Sequence, residues 1–150
     1  MRLVIQRARE ASVTIGGRLH SSIGKGLFIL VGVETGDTEE DARWLAGKAA
    51  GLRIFDDEDG VMNRSVVDID GELLAVSQFT LTASTKKGNR PSYVRAAGHE
   101  VAVPMYERFC SLLAEAASRP VLQGVFGAEM ECALVNDGPV TIIIDSRIRE

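Results

Sequence analysis

Short apolar runs, alternating with polar residues and separated by turn formers, occupy the first third of the chain. LVIQR at 3–7 and ASVTI at 11–15 read as strands, Gly16-Gly17 as a turn, LHSSI at 19–23 as a further strand, and the apolar LFILVGV at 27–33 as a buried one. The period then changes. Asp37 and Thr38 precede a stretch in which Ala42, Leu45, Ala49 and Leu52 share one face at three- and four-residue spacing, which predicts a capped amphipathic helix with Trp44 off the seam, covering an edge of the core. Beyond a polar turn at DDEDG (56–60) come a strand VVDI (66–69), a turn at Asp70-Gly71, the strand ELLAVSQFTL (72–81) and an exposed basic loop, TASTKKGNRPSY (82–93). A second helix is expected after Pro104, with Tyr106, Phe109, Cys110, Leu113 and Ala117 on its apolar side and Pro120 as its stop. VLQGVF (121–126) and ECALVN (131–136) read as strands, Asn136-Asp137-Gly138-Pro139 as a tight corner, and VTIIID (140–145) as a final β-branched strand. The sum is an α+β fold: a largely antiparallel sheet with two main amphipathic helices.

Composition narrows this. The 150 residues are 45% hydrophobic and 25% charged, which sets aside disordered, fibrous and disulfide-built proteins. With no repeat, linker or low-complexity block, residues 1–150 are expected to form one domain. Seventeen basic against twenty-one acidic residues give a net charge of -4, which argues against a partner gripped along many phosphates but leaves open a local contact with an RNA end. No apolar run reaches the ~20 residues of a membrane helix. The amino-terminal MRLVIQRARE becomes charged before a signal-peptide core forms, so a cytoplasmic protein without membrane attachment is expected. Cys110 and Cys132 lack CxxC spacing and read as reduced, buried and inert. His20 and His99 are the only histidines, so no metal or other cofactor is expected.

Few residues offer chemistry. Neither histidine has a nucleophile-elbow context, both read as surface side chains, and Gly24-Lys25-Gly26 is too short to cradle phosphates. Three features remain. In Ser77-Gln78-Phe79-Thr80-Leu81 an apolar strand turns polar as it enters a loop; its hydroxyls, amide and backbone N–H groups either finish a strand edge or hold a carbonyl oxygen that gains negative charge. Gly138-Pro139 interrupts two apolar strands and reads as a turn, with a cis peptide aiming adjacent carbonyl oxygens in one direction as the alternative. Lys86, Lys87 and Arg90, with Arg95 beyond, form either a solvated loop or a small phosphate contact.

SQFTL at 77–81, KGNRPSY at 87–93 and NDGPVT at 136–141 resemble the D-aminoacyl-tRNA deacylase family, and the opening MRLVIQRAREASVTI, with Arg7, is similar to that family's, so the likeness runs nearly end to end. Tyr93 departs from the Phe usual in that loop. The resemblance implies a barrel-like homodimer that hydrolyses the ester between a D-amino acid, or glycine, and the terminal ribose of tRNA, with the acceptor end as its partner. It also implies that Gly138-Pro139, held by Arg7, reaches the partner subunit's pocket and excludes L side chains. Backbone N–H groups around Phe79 and Thr80 then hold the oxyanion, Ser77 belongs to the same segment, and Gln78 positions the ester. Thr80 lacks a neighbouring base, so water is the attacker. Phe126 and Met130 wall the terminal adenosine, and Lys86, Lys87 and Arg90 touch phosphates. The alternative is a non-catalytic RNA-end or nucleic-acid binding module of the same fold.

Overall fold

In a computed structural model describing residues 1–150, one long strand organises the sheet. β1 (Arg2–Ile15) absorbs both LVIQR and ASVTI without a break. One of its edges pairs antiparallel with β3 (Gly26–Gly32) and then with β2 (Arg18–Ile23); the other pairs with β8 (Glu131–Asp145) from Arg2↔Asp145 to Thr14↔Glu131. β6 (Glu72–Ser77) lies parallel to β3, and β7 (Val121–Gln123) parallel to β6. The sheet is therefore mixed. Parallel neighbours require a crossover. Helix α1 (Glu39–Gly51) and the two-stranded β4 (Phe55–Asp56) and β5 (Met62–Arg64) supply the first, and helix α2 (His99–Ala117) the second. In the order β2-β1-β3-β6-β7 the end strands meet: Ser21 Oγ donates to the Gln123 carbonyl at 2.9 Å, nearly closing a barrel.

Alternation along the strands fills two cores. Leu3, Ile5, Leu27, Ile29, Leu73 and Ala75 face the helices, against Leu45 and Ala49 of α1 and Phe109 and Leu113 of α2. Ala8, Val13, Phe28, Leu74 and Val76 point inside the barrel.

Several expected elements differ. VVDI is a turn, because Ser65 and Asp68 satisfy each other's backbone N–H groups at 2.8 and 3.2 Å and offer a local alternative to a ladder. The chain after Ser77 leaves the sheet as a 3₁₀ turn, Phe79–Thr82. VLQGVF pairs only through Gln123. Helix α2 starts five residues before Pro104, at His99, which is thus a helical residue; the proline ring removes only the N–H that the Glu100 carbonyl would accept. Thr38 caps α1 through a capping box with Asp41.

The largest difference is at the expected corner. ECALVN, the corner and VTIIID are all β8, and both halves pair with β1, so the chain does not reverse there. Gln6 pairs with Thr141 and Ala8 with Asn136, so residues 137 to 140 face Arg7 alone. That excess bulges out of the ladder, the setting in which a strand tolerates proline.

Asp37 has another task. The Met1 ammonium, wholly buried, donates to Asp37 Oδ1 at 2.7 Å and to Ser146 Oγ at 3.0 Å, while the Ser146 N–H returns a bond to the Met1 carbonyl at 2.9 Å. Arg147 reaches the same carboxylate at 3.0 Å from a half-exposed position. Asp37→Ala leaves a buried cation unpaired and is expected to cost about 3–5 kcal/mol, read from the urea midpoint at unchanged m-value. Arg147→Ala should cost at most about 1 kcal/mol; equal losses would contradict this assignment.

Candidate active site

The cavity lies where three parallel strands end. β6 is buried from Leu73 to Val76, and its last hydrogen bond carries it past the sheet: the Gln78 N–H donates to the Val31 carbonyl at 2.8 Å. The chain then tightens, with the Leu81 N–H on the Gln78 carbonyl at 3.3 Å and the Ala83 N–H on the Thr80 carbonyl at 3.1 Å. Gly32 permits this close approach, since a Cβ there would stand 2.9 Å from Leu81 Cβ and 3.3 Å from the Gln78 carbonyl oxygen. As the opening N–H groups of a helical turn, those of Phe79 and Thr80 lack intrahelical acceptors. Phe79 is 56% exposed, and its ring meets Tyr93 edge-on at 5.1 Å. Gln78 Nε2 donates to Thr80 Oγ1.

Ser77, Gln78 and Phe79 border a cavity of about 530 Å³ whose other walls are mainly apolar, among them Val33, Ala102, Phe126 and Met130. Phe126 is set by two rings, His99 at 5.3 Å and Tyr106 at 5.9 Å between centroids. Tyr106 in turn donates to the Ala75 carbonyl at 2.9 Å, and burial pushes its phenol far above the ordinary range, so it stays a neutral donor.

Five of the residues singled out in the sequence thus share one cavity: Ser77, Gln78, Phe79, Phe126 and Met130. Thr80 faces an adjoining groove with Leu81, Trp44 and Ile143. Arg7, Gly138 and Pro139 form a separate cluster and do not line the cavity of their own chain. Arg7 is buried, donating from Nε to the Asp137 carbonyl and from Nη1 to the Ile54 carbonyl, both at 2.7 Å. The Gly138-Pro139 peptide is cis, and both residues are exposed. The Val140 N–H is taken by Asn136 Oδ1 at 2.9 Å. Lys86, Lys87 and Arg90 are exposed, but Arg95 is engaged by the Thr82 carbonyl at 3.1 Å and by Glu34.

Two lining residues were not expected there. His99 opens α2 at the cavity wall, and Cys132, read as buried, is exposed on β8 and lines the cavity. His99 and Cys132 are the cavity's only ionisable side chains, and no group of three His, Cys, Asp or Glu is placed to hold a metal ion. The arrangement offers main-chain donors beside apolar walls, without a side-chain acid–base pair.

A sequence model of the family described as D-Tyr-tRNA(Tyr) deacylase matches residues 4–145. Proteins named D-aminoacyl-tRNA deacylase from Parabacteroides distasonis and Porphyromonas gingivalis are each 60% identical over 150 residues, covering all of both chains. Among solved structures, one named c-Myc DNA Unwinding Element Binding Protein superposes with a TM-score of 0.91 at 39% identity, over 97% of this chain and 98% of that one. Another, described as a probable eukaryotic D-amino acid tRNA deacylase, has a TM-score of 0.81 at 17% identity over 95% and 97%, a likeness of fold. No helix is long and apolar enough to cross a membrane.

The thiols provide a check on this geometry. Partial desolvation against the cavity wall raises the Cys132 thiol, and full burial pushes Cys110 up to about 12. Iodoacetamide is expected to modify Cys132 alone in the folded chain, faster as pH rises and the thiolate forms. Cys110 should react only on unfolding, and peptide mapping that finds both labelled at equal rates would contradict the cavity described.

Proposed function

The chain belongs to the D-Tyr-tRNA(Tyr) deacylase family and is a hydrolase of D-aminoacyl-tRNA esters, and we propose that residues 1–150 act as one catalytic domain in a cytoplasmic homodimer. The observation that carries this reading is the 3₁₀ turn after Ser77, whose open N–H groups adjoin a cavity poor in ionisable side chains. Such a site stabilises charge through the main chain. The ester carbonyl lies against the Phe79 and Thr80 N–H groups, Gln78 orients the ester, and each donor lowers the barrier by ~2.7–4 kcal/mol.

Water attacks the carbonyl carbon, the negative charge collects on the carbonyl oxygen, and collapse breaks the bond to the ribose oxygen, which leaves with a proton. The vicinal ribose hydroxyl is the proton relay, because neither His99 nor Cys132 is part of a base–orienter pair. Thr80 is not the nucleophile, because no His, Lys or carboxylate neighbours it in sequence to take its proton. The terminal adenosine packs on Phe126 and Met130, and Lys86, Lys87 and Arg90 meet phosphates. Few contacts suit a net charge of -4, and the salt dependence of binding is correspondingly shallow.

Selection is by exclusion. The partner subunit's Gly138 and the partner subunit's Pro139 place their carbonyl oxygens where an L side chain would project, so D-configured esters and glycyl-tRNA are accepted. The exposure of Gly138 and Pro139, and their separation from their own chain's cavity, support this exchange. A second reading, a nucleic-acid binding module without catalysis, draws on the 39%-identical structure, whose name is that of a DNA-binding protein.

Incubation with D-Tyr-tRNA and L-Tyr-tRNA separates the two readings: selective release of D-Tyr is expected, and loss of neither ester would leave only binding. Gly138→Ala is expected to lower activity more than Thr80→Ala. A Cβ at Gly138 would meet Arg7 Nη2 and the Val140 nitrogen, each at 3.0 Å, on a backbone with φ of 139°, whereas Thr80→Ala removes only a hydroxyl. Abolished turnover in Thr80→Ala with intact tRNA binding would restore the threonine as nucleophile.

A further inference from the structure

A peptide bond fixes its C=O and the following N–H in one plane, pointing in opposite directions. Whatever holds the Phe79 carbonyl therefore aims the Thr80 N–H. Thr82 holds it: its side chain, wholly buried, donates from Oγ1 to the Phe79 carbonyl at 2.8 Å. Thr82 is itself held from outside the turn, where Arg95 Nη2 donates to the Thr82 carbonyl at 3.1 Å. Arg95 is oriented at both ends. Its carbonyl accepts the Thr35 N–H at 3.0 Å, and its Nη1 lies 3.8 Å from Glu34 Oε1, a buried carboxylate oxygen with no hydrogen bond of its own. Glu34 is anchored by its N–H on Asp37 Oδ2 at 2.6 Å and by Arg147 at 3.5 Å.

We infer that Thr82, braced by Arg95 and Glu34, is a positioning residue that aims the Thr80 N–H at the reacting carbonyl. This rests on the deacylase reading, and neither Thr82 nor Arg95 lines the cavity. The hydroxyl gives the Phe79 carbonyl a side-chain donor beside the i+3 N–H that the 3₁₀ turn itself supplies. Valine has the same shape and leaves that carbonyl without it.

The experiment compares D-Tyr-tRNA hydrolysis by the wild-type chain, Thr82→Val, Thr82→Ser and Arg95→Met, with thermal midpoints for each. Thr82→Val is expected to lose roughly tenfold to a hundredfold in kcat with KM within about twofold, since displacement of a reacting group by a fraction of an ångström acts on the transition state. Thr82→Ser restores the donor and should recover kcat to within about threefold of wild type. Arg95→Met, a surface change that spares the hydroxyl, should lower kcat by roughly threefold to tenfold with an unchanged midpoint, keeping the inference testable if Thr82→Val fails to fold. Unchanged kcat in both Thr82→Val and Arg95→Met overturns it. So does a Thr82→Ser variant as impaired as Thr82→Val, which would mean the site needs threonine's packing and not its donor. A wild-type chain without D-selective hydrolysis overturns the deacylase reading instead, and this inference with it.

Discussion

The ladder between β1 and β8 is the constraint on which the rest of the structure depends. Fifteen residues of β8 hold to one partner strand at both ends, yet between Gln6↔Thr141 and Ala8↔Asn136 the two chains are unequal in length. The surplus, Asp137 to Val140, is forced outward by good pairing on either side of it. Arg7 then occupies the space beneath, where its guanidinium satisfies the carbonyls of Asp137 and Ile54 and meets Asp56 at 3.5 Å. A buried guanidinium needs such partners, because an uncompensated buried charge is strongly destabilising. The projecting Gly138-Pro139 segment is thus a product of register, built without a loop of its own.

The cavity follows from a second consequence of the topology. Because β3, β6 and β7 are parallel, their carboxyl ends emerge together, and ligand crevices in parallel sheets form at such ends. Val31, Ser77 and Phe126 come from the ends of three different strands or just beyond them and reach one cavity. Both crossovers pack their helices on the same core, which leaves the amino-terminal end of α2 beside that cavity. The protein places main-chain groups there by steering strand ends, with little help from reactive side chains.

Local chemistry made some of this legible in the sequence and long-range pairing hid the rest. The α1 helix was readable because Thr38, Asp41 and the spacing of Ala42, Leu45 and Ala49 act within a few residues. The SQFTL segment stood out because polarity changes abruptly where β6 leaves its neighbours. VVDI misled, since β-branched residues there are outweighed by the Ser65–Asp68 exchange of hydrogen bonds. Asn136-Asp137-Gly138-Pro139 has every mark of a hairpin turn, and only its pairing with a strand some 130 residues away shows that the chain continues straight. The exposure of Cys132 and the helical setting of His99 are hidden from the sequence for the same reason. Exposure on β8 depends on its being an edge strand, and the start of α2 depends on packing that overrides Pro104. The parallel pairs were likewise invisible to a pattern that alternates equally well in either direction.

On the proposed reading, main-chain chemistry also explains how a small cavity can be permissive toward side-chain identity and strict toward handedness. A hydrophobic pocket that reads size gains only about 1–3 kcal/mol per methylene, so it separates similar side chains by modest factors. Carbonyl oxygens on a bulge pinned by ladder pairs at both ends and by Arg7 at the Asp137 carbonyl act differently. They contribute little attraction to the accepted enantiomer and oppose the rejected one with steric overlap and with desolvated lone pairs that lack a donor. Such a filter is indifferent to what the accepted side chain is. Its selectivity depends on how stiffly the oxygens are held, which makes the buried guanidinium of Arg7 and the β8 pairing on either side of the bulge determinants of specificity although neither touches the ester.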